Sequence, residues 1–385
     1  MLKRIAFSSI IFLCAAHVHA CSVPVFRYAL ERWESAPYVA TVFYRGALGG
    51  ADKSVVDSLR QAGEATNATA NIRVRTVNLD SPVDSKTESR ESKIMAKLWA
   101  AQKNATLPWV VMQYPDMNDD LEPMWAGTLS SMRLEQWTSS PSRIQIAKNL
   151  AAGDSVVWAL VQTGDPAKDA AAMQTLKTEL AKLEPIIALP KDDDNLGGPT
   201  VRLRSELPLK IAFSVVPVLR TDPAEVMFVA MLMGIDKRFR NSANPVAFPI
   251  FGRGRALAGL TGKDLSESTI EEATTFLTGA CSCQLKELNP GVDMLFDTDW
   301  EGILEASHYV EKSAQTVTKA PISEPKHVVK KAPELVALPA PVKMIEHDIV
   351  ERASSYRLLI VAGVVLSGAL MLGAGIWLLK SKTKN

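Results

Sequence analysis

The alternation of hydrophobic and polar positions follows the same order twice along this chain of 385 residues. In each half, an apolar strand-like run is followed by a helical pattern, a second strand, a second helical pattern, a proline, two strands and a closing helix. In the first half, strands are predicted at 38–46, 71–79, 107–115 and 124–129, and helices at 53–65, 89–103 and 142–151. In the second half, strands are predicted at 155–164, 209–219 and twice within 245–262, and helices at 170–183, 222–234 and 266–279. The pattern predicts an α/β protein in which one architecture is used twice.

This order resembles the thioredoxin fold, in which a cis-proline precedes the third central strand. Pro108 and Pro245 occupy that place in the two halves, and each lies six residues before the aromatic residue that ends the strand, Tyr114 or Phe251. A cis X–Pro bond is uncommon in folded proteins and is a deliberate feature where it occurs. The resemblance covers residues 36–285 and implies two tandem thioredoxin-like domains with both prolines as cis-proline candidates. Another two-domain α/β arrangement stays open.

Longer stretches resemble a functionally uncharacterised family of exported bacterial proteins. They are CSVPVFRYALERW at 21–33, SPSRIQIAKNLAAGDSVVWALVQTGD at 140–165, FPIFGRGRAL at 248–257 and GACSCQLKELNPGVD at 279–293. This resemblance supports domains at 21–152 and 153–312, and it implies no activity.

The first 20 residues have the parts of a secretory signal peptide. Two basic residues come first, an apolar core too short to span a bilayer follows, and Val18 and Ala20 fit the small-residue positions of a cleavage site. Cleavage after Ala20 puts Cys21 first in the mature chain. Lipidation of Cys21 is the alternative, although His19 fits a lipidation signal poorly.

The C-terminal part predicts a tether and a membrane anchor. Residues 313–352 are rich in Pro, Lys, Ala and Val and have no strand or helix period, which is typical of a disordered linker. Within 353–385, an uncharged apolar run begins at Leu358 and ends at Leu379, long enough to span a hydrocarbon core of about 30 Å. Lysines follow this run, and positive charge stays on the cytoplasmic side. We therefore expect a single-pass protein of the bacterial inner membrane, with a periplasmic ectodomain and a cytoplasmic C-terminus.

Residue usage limits the chemistry of the ectodomain. None of the five histidines lies between Cys21 and Glu305, which excludes Cys–His and Ser–His–Asp sites there and disfavours the usual zinc enzymes. The places where thioredoxin-like oxidoreductases carry C-x-x-C read RGALGGADK and TGDPAKDA, without cysteine. No Walker loop or G-x-G-x-x-G occurs, so no cofactor is expected. The formal net charge of +1 does not indicate nucleic-acid binding.

The G-R-G-R stretch at 252–255 is a weak candidate for anion binding. Arg253 and Arg255 would present two guanidinium groups beside open backbone N–H groups. A basic β-turn without a ligand is the competing interpretation.

Three cysteines remain once the signal peptide is removed: Cys21, Cys281 and Cys283. Thiols tend to pair in an oxidising compartment, and three is an odd number. If the chain is extended after Gly279, Cys281 and Cys283 face the same side and can meet one partner. The alternatives are a disulfide from Cys21 to one of the pair, lipidation of Cys21 beside a lone C-x-C, or a soft metal ion such as Cu(I) held by all three.

The sequence favours a membrane-anchored protein of the cell envelope. The leading hypothesis is a non-catalytic binding or scaffold role for the tandem ectodomain, with another envelope protein as its partner. The alternative is thiol/disulfide or copper(I) handling through Cys21, Cys281 and Cys283. Whether the protein is an enzyme is left open.

Overall fold

Two β-sheets organise the described part of the chain, one in each half. The structure is a computed structural model that describes residues 23–81, 90–115, 123–190, 203–281 and 285–314. These residues all fall within one unit of the chain, Met1–Thr318, and the other unit, Lys319–Asn385, lies outside them. The predicted signal peptide and the predicted span from Leu358 to Leu379 also lie outside the described residues. No helix within the described ranges is both long and apolar enough to cross a membrane.

Helices and strands alternate through both halves. Within the described residues the strands are β1 (Tyr38–Tyr44), β2 (Ile72–Asn78), β3 (Trp109–Gln113), β4 (Trp125–Thr128), β5 (Val156–Gln162), β6 (Phe213–Leu219), β7 (Val246–Phe251), β8 (Arg255–Ala256), β9 (Leu260–Thr261) and β10 (Val292–Asp293). The helices are α1 (Val25–Arg32), α2 (Gly50–Glu64), α3 (Arg90–Ala100), α4 (Leu134–Thr138), α5 (Pro141–Ala151), α6 (Pro166–Leu183), α7 (Val226–Gly234), α8 (Lys237–Arg240), α9 (Glu267–Thr278) and α10 (Trp300–Ala314).

The two sheets share one pairing scheme. In the first, the order is β2-β1-β3-β4, with β1 parallel to β2, antiparallel to β3, and β3 antiparallel to β4. In the second, β6-β5-β7-β8 follows the same scheme, β10 extends the β8 edge, and β9 pairs with β7. The repeated hydrophobic pattern therefore corresponds to two sheets of the same strand order.

Successive residues of a strand face opposite sides of its sheet, so each sheet lies between two apolar layers. Val42 of β1 and Ala159 of β5 belong to one large cluster that both sheets share. The next residue of each strand faces away from this shared cluster. Phe43 packs in a small cluster with α3, and Leu160 packs in a larger cluster with α1, α6 and α9. Side chains of α2, α4, α5 and α7 also lie in the shared cluster, so the described part is layered as helix, sheet, a core that contains these four helices, sheet and helices.

Packing does not follow the boundary expected at residues 152 and 153. The first helix, α1, packs against α9 and β7 of the second half, and its Phe26 lies in a cluster with Trp158 of β5. The helix that closes the first half, α5, contacts β5 and β6. Both helices are apolar on a face that the second sheet covers, so they belong structurally to the second half.

The end of the described chain returns to the first half. Asp297 forms an antiparallel bridge with Ala70, just before β2, and Phe296, Trp300 and Leu304 enter the shared core. Helix α10 runs to Ala314, so regular structure extends past residue 312, where the second domain was expected to end. The rest of the expected linker lies outside the described residues.

Candidate functional site

The start of the described chain pairs with the segment that leads into the predicted cysteine site. Pro24 and Ala280 form an antiparallel bridge, and the amide of Cys281 donates a hydrogen bond to the carbonyl of Val23 at 3.0 Å. Backbone contacts therefore bring the segment that follows Cys21 beside the segment in which the C-x-C begins. A disulfide from Cys21 to the C-x-C would require this proximity.

Of the three predicted cysteines, only Cys281 lies within the described residues. Its side chain is 1 % exposed and lies among apolar side chains of α1, α6, α9 and the second sheet. Cys21 and Cys283 lie outside the described residues. Within the described ranges, no group of three His, Cys, Asp or Glu side chains is placed to hold a metal ion.

The two cis-proline candidates differ. Among the described peptide bonds, Leu107–Pro108 is the only one in the cis conformation, so Pro245 is not a cis-proline. The Pro108 carbonyl accepts the Leu129 amide at 2.9 Å, and the Pro245 carbonyl accepts the Thr261 hydroxyl at 2.8 Å. Both prolines directly precede a strand that pairs with the first strand of its sheet.

The loops after β1 and β5 carry no cysteine, and each is closed by a carboxylate. Asp80 accepts the amide of Gly46 at 2.8 Å, and Asp169 accepts the amides of Thr163 and Gly164 at 2.8 and 2.9 Å. Asp169 is itself buried, at 6 % exposed. These contacts stabilise the turns that lead into α2 and α6, so both carboxylates have a structural role.

The G-R-G-R stretch forms a tight turn between β7 and β8. Gly252 and Gly254 both have positive φ, 58° and 89°, a conformation that glycine adopts without strain. All three nitrogens of Arg255 have internal partners: Nη1 lies 3.1 Å from Asp293 Oδ1, and the other two donate to the carbonyls of Asn289 and Pro290. Arg255 therefore has a structural role in this turn, and its assignment to an anion site stays a prediction.

Arg253 is buried as well, at 8 % exposed, but it is only partly paired. Nε donates to the Leu30 carbonyl at 2.8 Å, and Nη2 donates to Glu301 Oε1 at 2.7 Å. Nη1 donates no hydrogen bond to any described residue. Arg253 lines a cleft, so it keeps donor capacity beside an open space.

That cleft has a volume of about 650 Å³, within the range of small-ligand and peptide pockets. Three chain segments and Arg253 form its walls: residues 34–37 before β1, residues 63–73 from the end of α2 into β2, and residues 296–301 at the start of α10. We call it the Arg253 cleft.

Asn71 fixes the three walls relative to one another. Its Nδ2 donates to the carbonyls of Ala36 and Met294 at 2.9 and 3.2 Å, and its Oδ1 accepts the amide of Phe296 at 2.9 Å. The Ser35 hydroxyl adds a bond to the Arg253 carbonyl at 3.2 Å. The cleft is therefore preformed by internal hydrogen bonds.

The cleft has an aromatic floor and an acidic rim. Phe296 and Trp300 are buried and meet edge to face, with ring centroids 6.3 Å apart. The charged side chains that line it are the carboxylates of Glu34, Glu64, Asp299 and Glu301 and the guanidinium groups of Arg73 and Arg253. Carboxylates thus outnumber cations around the opening.

A buried ionic network holds α5 against the second half of the chain. Glu225, from the segment before α7, accepts the Ser140 hydroxyl and the Ser142 amide, both at 2.7 Å, at the start of α5. Arg143 of α5 uses all its N–H groups and bonds the Leu295 carbonyl at 3.0 Å. Burial lowers the pKa of Arg143 to about 10, while the nearby carboxylate of Glu225 acts in the opposite direction.

A second buried pair anchors α1. Arg27 Nε lies 2.8 Å from Glu31 Oε1 one turn later, and both side chains are 1 % exposed. Glu31 also accepts the Ser205 hydroxyl at 2.9 Å, and Arg27 Nη2 donates to the carbonyl of Leu207 at 2.9 Å. Burial lowers the pKa of Arg27, with the Glu31 carboxylate opposing that change. Such pairs fix one arrangement of the chain more than they add stability.

Sequence reasoning identified Arg253 but missed the rest of the cleft. Glu34, Asn71 and Trp300 belong to three segments far apart in the chain, and none of them stands in a recognisable motif. No local signal could have grouped them.

Comparison of the chain with models of known protein families and with curated proteins finds no match in either set. The function has to be inferred from the residues themselves.

Proposed function

We propose that this protein is a non-catalytic binding or scaffold protein of the bacterial cell envelope, with the Arg253 cleft as its binding site. The observation that carries the proposal is a preformed cleft of about 650 Å³ whose walls come from both ends of the described chain. Its charged side chains mostly hold one another or the backbone, which suits recognition better than acid–base chemistry.

The architecture behind this role is proposed to be two thioredoxin-like units without the dithiol. Strand order and direction support it. In both sheets the first strand is parallel to the second and antiparallel to the third, and the third is antiparallel to the fourth. The cis bond before Pro108, at the start of β3, supports it for the first unit. The absence of cysteine from the loops after β1 and β5 argues against thioredoxin-type catalysis.

The location is proposed from the sequence. A signal peptide at 1–20 and an apolar run from Leu358 to Leu379 would export the folded body and tether it at the outer face of the inner membrane. A scaffold held there would meet other envelope proteins, which are the partners we propose.

The test is site-specific photocrosslinking in the native membrane with the full-length chain. A photoreactive amino acid replaces Asn67, an exposed residue of the cleft wall, and in a matched strain it replaces Glu272, an exposed residue of α9 outside the cleft. We expect a discrete adduct only from position 67, and its loss when Glu34→Lys is added. Equal adducts from both positions contradict the proposal. So does disulfide reductase activity of the purified chain that Cys281→Ser abolishes.

A second function, thiol or copper(I) handling, is favoured by the pairing of Val23 with Cys281. Cys21 lies two residues before Val23, and two residues of extended chain span about 7 Å, so Cys21 is within reach of the C-x-C segment. A disulfide would form as two thiols give two protons and two electrons to an oxidoreductase disulfide of the envelope.

Peptide mapping of the unreduced protein distinguishes a disulfide at these cysteines from a bound copper(I) ion. A peptide pair linking Cys21 to Cys281 or Cys283 supports the disulfide, whereas three thiols and one Cu(I) per chain by intact mass support the metal. A lipid on Cys21 contradicts both.

A further inference from the structure

We propose that the Arg253 cleft binds an extended peptide carrying lysine or arginine side chains. The proposal rests on the binding role given above and names the class of ligand. It depends on two features of the cleft: a donor whose orientation is fixed and which no described residue uses, and an acidic rim.

The donor is Nη1 of Arg253. The guanidinium is held at Nε by the Leu30 carbonyl and at Nη2 by Glu301, so the orientation of Nη1 is set before any ligand arrives. A guanidinium carries five N–H donors, and the N–H groups of Nη1 are left for solvent or a ligand in the cleft. A ligand oxygen, such as a peptide carbonyl, would accept a hydrogen bond from Nη1.

The acidic rim decides the charge of the ligand. Glu301 lies between two guanidinium groups, with Oε1 2.7 Å from Arg253 Nη2 and Oε2 3.4 Å from Arg204 Nη2. Glu34 is exposed, and its carboxylate makes no hydrogen bond or ion pair with any described residue. Asp299 also lines the cleft, and its Oδ1 accepts the Gly302 amide at the start of α10. Free anions would meet these carboxylates and be repelled, whereas ammonium or guanidinium groups would be attracted.

The floor and walls suit a chain-like ligand. The hydrocarbon stem of lysine or arginine packs on apolar surface while its charged end stays in water, and Phe296 and Trp300 provide such a surface. Because Asn71 already fixes the walls, binding does not have to order them. A ligand with alternating carbonyl acceptors and basic side chains matches the donor and the rim together.

The experiment is isothermal titration of the full-length protein in detergent with three probes of fixed composition. They are acetyl-AKAKA-amide, acetyl-AEAEA-amide, and spermidine, which has the cations but no acceptor. We expect the lysine peptide to bind, more weakly as salt rises, and the glutamate peptide not to bind. Spermidine should bind at least tenfold more weakly than the lysine peptide.

Two matched variants locate the binding. Glu34→Lys should weaken the lysine peptide by about tenfold and Glu34→Gln by about threefold, since the residue is exposed and has no structural partner to lose. Glu272→Lys, the same charge change on α9, should leave the affinity within twofold.

The ligand class is wrong if neither peptide binds, if both peptides bind alike, if spermidine matches the lysine peptide, or if Glu272→Lys weakens binding as much as Glu34→Lys. A crosslink at position 67 with no binding of the lysine peptide would overturn only this inference. Loss of the crosslink as well would overturn the binding role itself.

Discussion

The carboxylate of Glu225 accepts the hydroxyl hydrogen of Ser140 at 2.7 Å across 85 residues of chain. Both side chains are buried, at 2 % and 5 % exposed. This contact caps the helix that ends the first half with a side chain of the second half. It also places a negative charge beside Arg143. Because α5 packs on the second sheet, this contact fixes the helix to the segment before α7 by polar bonds as well as by apolar packing.

Removing this carboxylate should destabilise the fold strongly. Glu225→Ala leaves Arg143 buried without its counter-charge and frees two donors at the start of α5. We expect a loss of about 3–5 kcal/mol in the free energy of unfolding, measured by urea denaturation. Glu272→Ala, an exposed control on α9, should stay within about 0.5 kcal/mol. A Glu225→Ala loss no larger than that of the control would show that the network contributes little.

The end of α2 packs so closely on β2 that only glycine fits there. A Cβ on Gly63 would lie 1.9 Å from the Ile72 carbonyl oxygen, whereas a Cβ on Gly50, in the same helix, would meet nothing within 4 Å. Gly63→Ala should therefore lower stability by about 1–3 kcal/mol through overpacking. Gly50→Ala should raise it by about 0.4–1 kcal/mol, because it restricts the unfolded chain. Equal thermal midpoints for the two variants would contradict this close approach.

The Tyr38 hydroxyl is fully buried and has no hydrogen-bond partner among the described residues. Burial raises its pKa well above the usual value of 10.0, with the neighbouring Tyr114 and Asp293 acting in the same direction. Above pH 10 the unfolded chain loses this proton while the folded chain keeps it, so the free energy of unfolding falls as pH rises.

Tyr38→Phe should therefore be neutral or stabilising at pH 7, by up to about 1 kcal/mol, since an unpaired buried hydroxyl is removed. Urea titrations at pH 8 and above pH 10 should show a shallower loss of stability than in the unmodified chain. Tyr44→Phe serves as the control. A variant that loses stability at pH 7 would show that the hydroxyl has a partner.

The proposed disulfide from Cys21 predicts a redox effect on stability. If Cys21 is joined to the C-x-C, a reductant should lower the free energy of unfolding by about 2–4 kcal/mol, and Cys21→Ser should abolish that dependence. Cys281→Ser should also cost stability under reducing conditions, because a hydroxyl replaces a buried sulfur among apolar side chains. Unfolding curves that coincide with and without reductant would show that no disulfide from Cys21 stabilises the fold.

Much of the local structure was predictable. Strands such as β1 and β5 are continuous apolar runs rich in β-branched residues, and the helix α9 begins at Ser266 with a capping box. These signals lie within a few residues of the elements they define. The sequence analysis did not predict α1, α4, α8, α10 or β10.

The sequence by itself determined the principal strands and helices of each half, that their order repeats, and that no dithiol follows β1 or β5, because periodicity and residue type are local properties. The tertiary structure decided which helices and sheets pack their apolar faces against one another. It placed α1 on the second sheet and residues 296–304 in the shared core. It also gave two arginines two residues apart different roles, since Arg255 meets Asp293 and carbonyls while Arg253 faces a cleft. Burial and pairing depend on neighbours distant in sequence, which a pattern along the chain does not contain.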